Sequence, residues 1–285
     1  MNTIELHIRG KRHRFSGPSG WAELTAHQAV SLMRLRAQIA QRAETAFAAL
    51  DLLYGLKKRH QRWVFDARFL RRKGVPEEQI VLILEQGQSL LDTLLWIGEP
   101  DKKASFPVHS FRRFDFHFGT PYIWLSRLLT RQRYVGPLAG LVEISFGEFM
   151  FADRAFRAKD LPQLAAILYR PKAETFDKHT AEHRAILFAD LDPALLALIS
   201  QNFADTLDFL SRHFRRVFAE PLSTGTVSKA GKSAGWLDIA INMAKLDVTK
   251  IGQIEQTNLY LALKVLDEQI RQAEELEEAL AKNKS

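Results

Sequence analysis

The stretch from Val142 to Pro171, VEISFGEFMFADRAFRAKDLPQLAAILYRP, crowds aromatics, helix-start signals and breakers together and so restricts the local fold more than any other segment. Ser145-Phe146-Gly147-Glu148 has the Ser-x-x-Glu spacing in which a hydroxyl caps the first turn and the carboxylate reaches back to the cap's own N–H. Phe149, Ala152 and Phe156 then recur on one face. A second helix is predicted from Asp160, with Leu161, Leu164 and Leu168 at helical spacing, and Pro171 bars its continuation. Two helices packed through apolar faces follow, with no chemistry in them.

The same periodicity runs through most of the 285 residues. Thr25, with Gln28 three residues on, opens a helix whose apolar stripe is Leu32, Leu35, Ile39, Ala43, Ala46, Leu50 and Leu53, interrupted near Ala40 and ended by Gly55. Gly74-Val75-Pro76-Glu77-Glu78 starts another, with proline and acids in the turn where the dipole favours them, and Ile80, Ile83, Leu84, Gly87, Leu90, Leu94 and Ile97 face one way. Tyr122–Leu129 and Thr180–Ala189 read as helices, and Asp192-Pro193 begins a long one carrying Leu195, Ile199, Phe203, Leu207, Leu210, Phe214 and Val217. The strand signal is confined to Thr3–Ile8, alternating with period two, then a turn at Arg9-Gly10-Lys11 and a return through Phe15. The expected class is therefore mainly α: a multi-helix domain with a small N-terminal β-hairpin and a C-terminal helical appendage.

Small and breaking residues at 219–235, AEPLSTGTVSKAGKSAG, predict a linker between a main domain, 1–218, and the appendage, 236–285. The appendage holds a short amphipathic helix with Trp236, Ile239, Ala240 and Met243, a turn near Gly252, and a last helix from about Gln256. There Leu259, Leu263, Leu266, Ile270 and Ala273 keep a four-three spacing that Glu277 breaks, a seam suited to another helix. Trp236, Ile239, Leu259, Leu263, Leu266 and Ile270 are thus the expected partner-binding residues. Glu274, Glu275, Glu277 and Glu278 sit where the helix dipole disfavours them, so these turns fray unless a basic partner meets them.

Charge is divided along the chain. Residues 1–135 hold 22 Lys/Arg against 12 Asp/Glu, and residues 136–285 hold 18 against 21, within a formal total of +7. The most basic stretch, Lys57 to Lys73, interleaves Lys57, Lys58, Arg59 and Arg62 with Trp63, Phe65 and Phe69. Cations between aromatics line many nucleic-acid surfaces, and buried aromatics with solvated cations between them give the same string. Complementary charge also suggests a homo-oligomer, with the acidic last helix of one copy on residues 57–73 of the next; the alternative is a helix folded back on its own domain.

Catalytic signals are sparse. Zero cysteines removes disulfides, thiolate metal sites and cysteine nucleophiles and fits a reducing cytosol. His179-Thr180-Ala181-Glu182-His183 matches the His-x-x-Glu-His pattern of inverted zinc peptidases, for which Glu255 is the available third ligand, yet two solvated histidines at a polar helix start give the same letters. Gly225 to Ser233 imitates a phosphate-cradling loop with five residues between its glycines where four are required, and it follows a helix. No cofactor is assigned, and an enzyme is not the expected reading. Nothing resembles a signal peptide, no segment approaches the roughly 20 apolar residues of a membrane span, and a cytoplasmic location is expected.

The order of pieces is more specific than any one of them. A short hairpin, GPSGWAELTAHQ, GPLAGLVEISFGEFMFADRAF, LPQLAAILYRP and GWLDIAINMAKLDVTKIGQIEQTNLYLALKVLDE together resemble proteins encoded among phage-like and prophage genes of Bacteroidetes-type bacteria. The last piece is similar to the C-terminal part of tail-assembly chaperones. The resemblance implies a non-enzymatic part in building a phage-derived particle, as chaperone or structural component working with protein partners, and it transfers no catalytic residue.

Overall fold

The computed structural model describes residues 1–8, 11–39, 43–116, 132–219, 235–245 and 247–282, and it is mainly α. Four sequence expectations fall outside these residues: the Arg9-Gly10 turn, the interruption at Ala40, the Tyr122–Leu129 helix, and the linker 219–235 with its glycine loop, except for Ala219 and Gly235. The chain forms two compact units, Met1–Asp101 with Asp192–Leu198, and Lys102–Leu191 with Ile199–Ser285.

In the first unit β1 (Asn2–Ile8) pairs antiparallel with β2 (Lys11–Gly17), Ile4 opposite Phe15 and Leu6 opposite His13. Helix α1 (Ala26–Ile39) begins at the expected capping box: the Gln28 N–H donates to Thr25 Oγ1 at 3.3 Å, and the Thr25 N–H to Gln28 Oε1 at 3.1 Å. The single stripe read through Leu53 is divided between α1 and α2 (Ala43–Tyr54), which ends at Gly55 in the left-handed conformation. The basic stretch folds as two short helices, α3 (Lys58–Phe65) and α4 (Ala67–Arg72), with Asp66 between them accepting from the Phe69 N–H at 2.9 Å. Helix α5 (Glu77–Asp92) packs on both through Ile80, Gly87 and Leu90.

With the turn after α5, Glu77–Gly98 is 22 residues long and contains an 18-residue window of mean hydropathy 1.3, enough to cross a membrane by length and composition alone. Val81, Leu82 and Leu95 lie exposed on it.

The second unit opens with a two-residue ladder, β3 (Ser110–Phe111) against β4 (Tyr134–Val135), and Val135 bridges on to Arg170. Helices α6 (Phe146–Arg157), α7 (Leu161–Leu168), α8 (Lys178–Phe188) and α9 (Pro193–His213) follow, α9 starting in the first unit. Phe111, Tyr134, Tyr169 and Phe188 form an aromatic core with ring centres 4.8 to 5.8 Å apart. The short α10 (Arg215–Phe218) precedes α11 (Trp236–Met243), α12 (Val248–Gln256) and α13 (Leu259–Lys282).

The expected appendage is part of this unit. Thr257 accepts from the Phe146 N–H at 2.7 Å, and the Leu259 N–H donates to Ile144 at 3.0 Å, tying 257–259 to the start of α6. Gly252 lies inside α12; the turn comes earlier, where Lys245 takes a positive φ. The exposed Glu277 ends the apolar spacing and not the helix, since α13 runs on to Lys282.

Candidate functional site

The residues read as a partner surface face inward. Trp236 stands edge-on to Phe149 and Phe146, with ring centres 5.1 and 6.0 Å away, and to Phe218 at 5.5 Å, while its Nε1 donates to Asp153 Oδ2 at 3.0 Å. Ile239 is half-buried beside the fully buried Ala240. Leu259 and Leu263 have no exposed surface, Leu266 keeps 8%, and Ile270 is half-buried. The apolar seam is satisfied by α6 and α10 of the same unit, the fold-back arrangement, because Tyr260 and Asn258 fasten its start. The Tyr260 hydroxyl donates to the Gly140 carbonyl, and Asn258 Nδ2 to that of Val142, both at 2.8 Å.

Beyond Arg271 the same helix changes character. Every described residue from Gln272 to Lys282 is exposed, including Leu276 at 63% and Leu280 at 52%. The transition is held by charge. Arg216 on α10 donates to Glu274 at 3.1 Å and lies 3.6 Å from Asp267. Arg271 binds Glu268 through two nitrogens and Glu275 through a third, and with Gln272 this holds the Glu268 carboxyl down at about 2. Leu261 and Val265, also exposed, extend the apolar surface toward the anchored end.

The basic stretch on α3 and α4 keeps its charge on the surface. Lys57, Lys58, Arg59 and Arg62 are exposed, whereas Val64 and Leu70 are buried. Phe69 receives Arg62 and Lys73 over its ring, 5.6 and 5.7 Å from its centre, and Trp63 at its edge, 5.0 Å away. On the hairpin side His60 meets Phe15 and His13, with ring centres 5.4 and 5.8 Å away.

The zinc pattern does not assemble. Helix α8 turns Ala181, Arg184 and Phe188 inward, so His179, Glu182 and His183, on the other positions of the same turns, lie exposed. His179 Nδ1 is 3.6 Å from Glu182, and among the described residues no three His, Asp or Glu side chains cluster to hold a metal. Glu255 lies elsewhere, its backbone against Gly147. An open groove of about 570 Å³ between α1 and α2 includes Arg34 and Asp51, but the Arg34 charge is taken up by Asp192 at 2.7 Å.

Sequence reasoning missed the buried polar pairs of the second unit. Glu148 is 2% exposed and accepts from Arg170. Arg184, 6% exposed, donates to the Ala166 carbonyl at 2.6 Å and to Glu174, closing the last turn of α7. Arginine next to His183 at an inward helical position was the signal available. Comparison with protein-family models, with curated proteins and with solved structures returns no match.

Proposed function

We propose that this chain is a non-enzymatic protein–protein interaction component of a phage-derived particle, an assembly chaperone or structural part that engages its partner through the outer half of α13. The observation that carries this reading is the contrast within one helix: Leu259 and Leu263 fully buried, Leu276 and Leu280 largely exposed. An isolated helix shorter than about 12 residues is marginal in water, so turns 272–282 depend on the anchored turns before them. A rigid helix with leucines four apart and four glutamates around them suits a groove that is apolar at its floor and basic at its rim.

The test follows from the anchoring. Removing everything after Gly235 would strip Trp236 and Leu263 from the core, so loss of binding there would report unfolding. Ending the chain after Arg271 removes the exposed turns alone. We expect this truncation to melt like the full chain and to lose its partner. A photo-crosslinking amino acid at 276, in cells that make the native particle, should give one discrete adduct that the same residue at Leu95 does not. A truncated chain that still joins the particle, or equal crosslinking from both positions, overturns the reading.

A further inference from the structure

The α3–α4 face of the first unit is charged beyond what its fold requires. Residues 57–73 contain eight Lys/Arg and a single carboxylate, Asp66, which is committed to capping α4. Arg71 pairs with Glu77. No carboxylate among the described residues pairs with Lys57, Lys58, Arg59 or Arg62, nor with Arg68, Arg72 or Lys73, and all seven are exposed. Arg62 and Lys73 are held over Phe69, an arrangement that orders a cation without neutralising it.

We propose that this face is a sequence-independent docking surface for the phosphodiester backbone of nucleic acid. Three features select that ligand. First, Val64 and Leu70 point inward, Arg62 and Lys73 lie over the Phe69 ring, and Trp63 and Phe65 are half-buried, so the exposed groups this face presents are mainly cations rather than apolar side chains that acyl chains or a protein anchor would bury. Affinity there comes from charge density, which is the counterion-release regime of nucleic acid. Second, the cations span two consecutive helices and the loop before them, which suits an extended anion. Third, the Phe69 ring is covered by cations and does not serve as a platform for stacked bases, which favours contact with the backbone over readout of base identity. The positive field is already felt inside the unit: burial first, then Arg59, His13 and Lys57, depress the His60 pKa, and its Nδ1 is buried with no hydrogen-bond partner.

The experiment uses the full chain and fluorescein-labelled mixed-sequence DNA, single-stranded and duplex, followed by anisotropy at increasing KCl. Each phosphate neutralised contributes about 0.9 to the slope of log K against log salt on duplex and about 0.7 on single strands, so replacing Lys57, Lys58, Arg59 and Arg62 with Gln should flatten the slope by up to about 3.6 and about 2.8, respectively, and weaken binding about tenfold or more at low salt. Arg68→Gln with Arg72→Gln, on α4, should give a smaller loss in the same direction, an independent check should the first variant fail to fold. The control removes the same charge from the second unit, at Arg154, Lys159, Lys172 and Arg215, and should bind like the wild type. Absence of binding at low salt overturns the proposal, as does equal weakening by the control or binding to phosphatidylserine vesicles without binding to DNA.

Discussion

Arg170 donates through Nη1 to Glu148, a carboxylate that is 2% exposed at the first turn of α6, while its own side chain remains 24% exposed. Burial drives the Glu148 pKa above its ordinary 4.5, against the pull of Arg170 and of the Ser145 backbone. Removing one partner of a buried pair leaves the other charge uncompensated, so Glu148→Ala should cost about 3 kcal/mol in urea denaturation. Glu148→Gln, which keeps an acceptor for Arg170, should cost less.

The same pair sets a pH dependence. With the folded pKa above the unfolded one, the folded chain holds this proton more tightly, so the linked stability is complete below about 4.5 and is lost as pH rises through the folded value. Wild type compared with Glu148→Gln should therefore lose relative stability as pH rises from about 4.5 and then level off. Denaturation curves measured in half-unit pH steps check this, and a difference that grows in favour of the wild type with rising pH would show that Arg170 outweighs burial.

Trp236 and Leu263 give a prediction about the last three helices. Both belong to the core of the second unit, one through Phe149 and Asp153, the other with no exposed surface. Leu263→Ala should destabilise by about 2 to 5 kcal/mol, and Trp236→Phe, which keeps the ring contacts and loses the hydrogen bond to Asp153, by about 1. Thermal melts decide it. If instead Leu263→Ala left the melt unchanged and only altered sedimentation, the seam would be a contact between copies.

Why these helices were legible and their roles were not is a matter of range. Thr25 with Gln28 forms both halves of its capping box; Ser145 accepts from the Glu148 N–H at 3.1 Å, although the Glu148 carboxylate is held by Arg170; and Asp160, read as a helix start, accepts from the Gln163 N–H at 3.0 Å. The four-three repeat at Leu259, Leu263 and Leu266 identifies a buried face but carries no information about what buries it. Charge pairing is similarly opaque, since Glu148 meets Arg170 from 22 residues away and Arg184 meets the end of α7. The His179 pattern failed because a motif records spacing along α8 and not which side of it points inward.

That orientation yields a direct check on metal. His179 and His183 are exposed, and among the described residues no three His, Asp or Glu side chains gather there, whereas a tight zinc site needs three protein ligands. Protein offered zinc and then desalted should retain no stoichiometric metal, and His183→Ala should leave its melting temperature unchanged. About one zinc per chain, lost in that variant, would reinstate the hydrolase reading.

Gly136 offers the sharpest test of the packing that precedes α6. It follows β4, donates its N–H to the His109 carbonyl at 2.9 Å, and lies so close to Tyr169 that a Cβ would fall 2.4 Å from the ring's Cε1. Tyr169 has little room to yield: it is fully buried, its hydroxyl donates to the Val108 carbonyl at 2.8 Å, and its ring lies 5.0 Å from that of Phe111. The φ of Gly136 is not in the left-handed region, so alanine meets no backbone strain there and any cost is steric. Gly136→Ala should therefore destabilise by about 1 to 3 kcal/mol, as overpacking does in a dense core. Tyr169→Phe alone should cost about 1 for the lost hydrogen bond. Because the methyl group would collide with the ring edge, which phenylalanine retains, the double variant should recover little of the alanine penalty, whereas Tyr169→Leu should recover much of it. Urea denaturation of the four variants decides the matter, and an alanine that is neutral on its own would place the Tyr169 ring further from Gly136 than the structure has it.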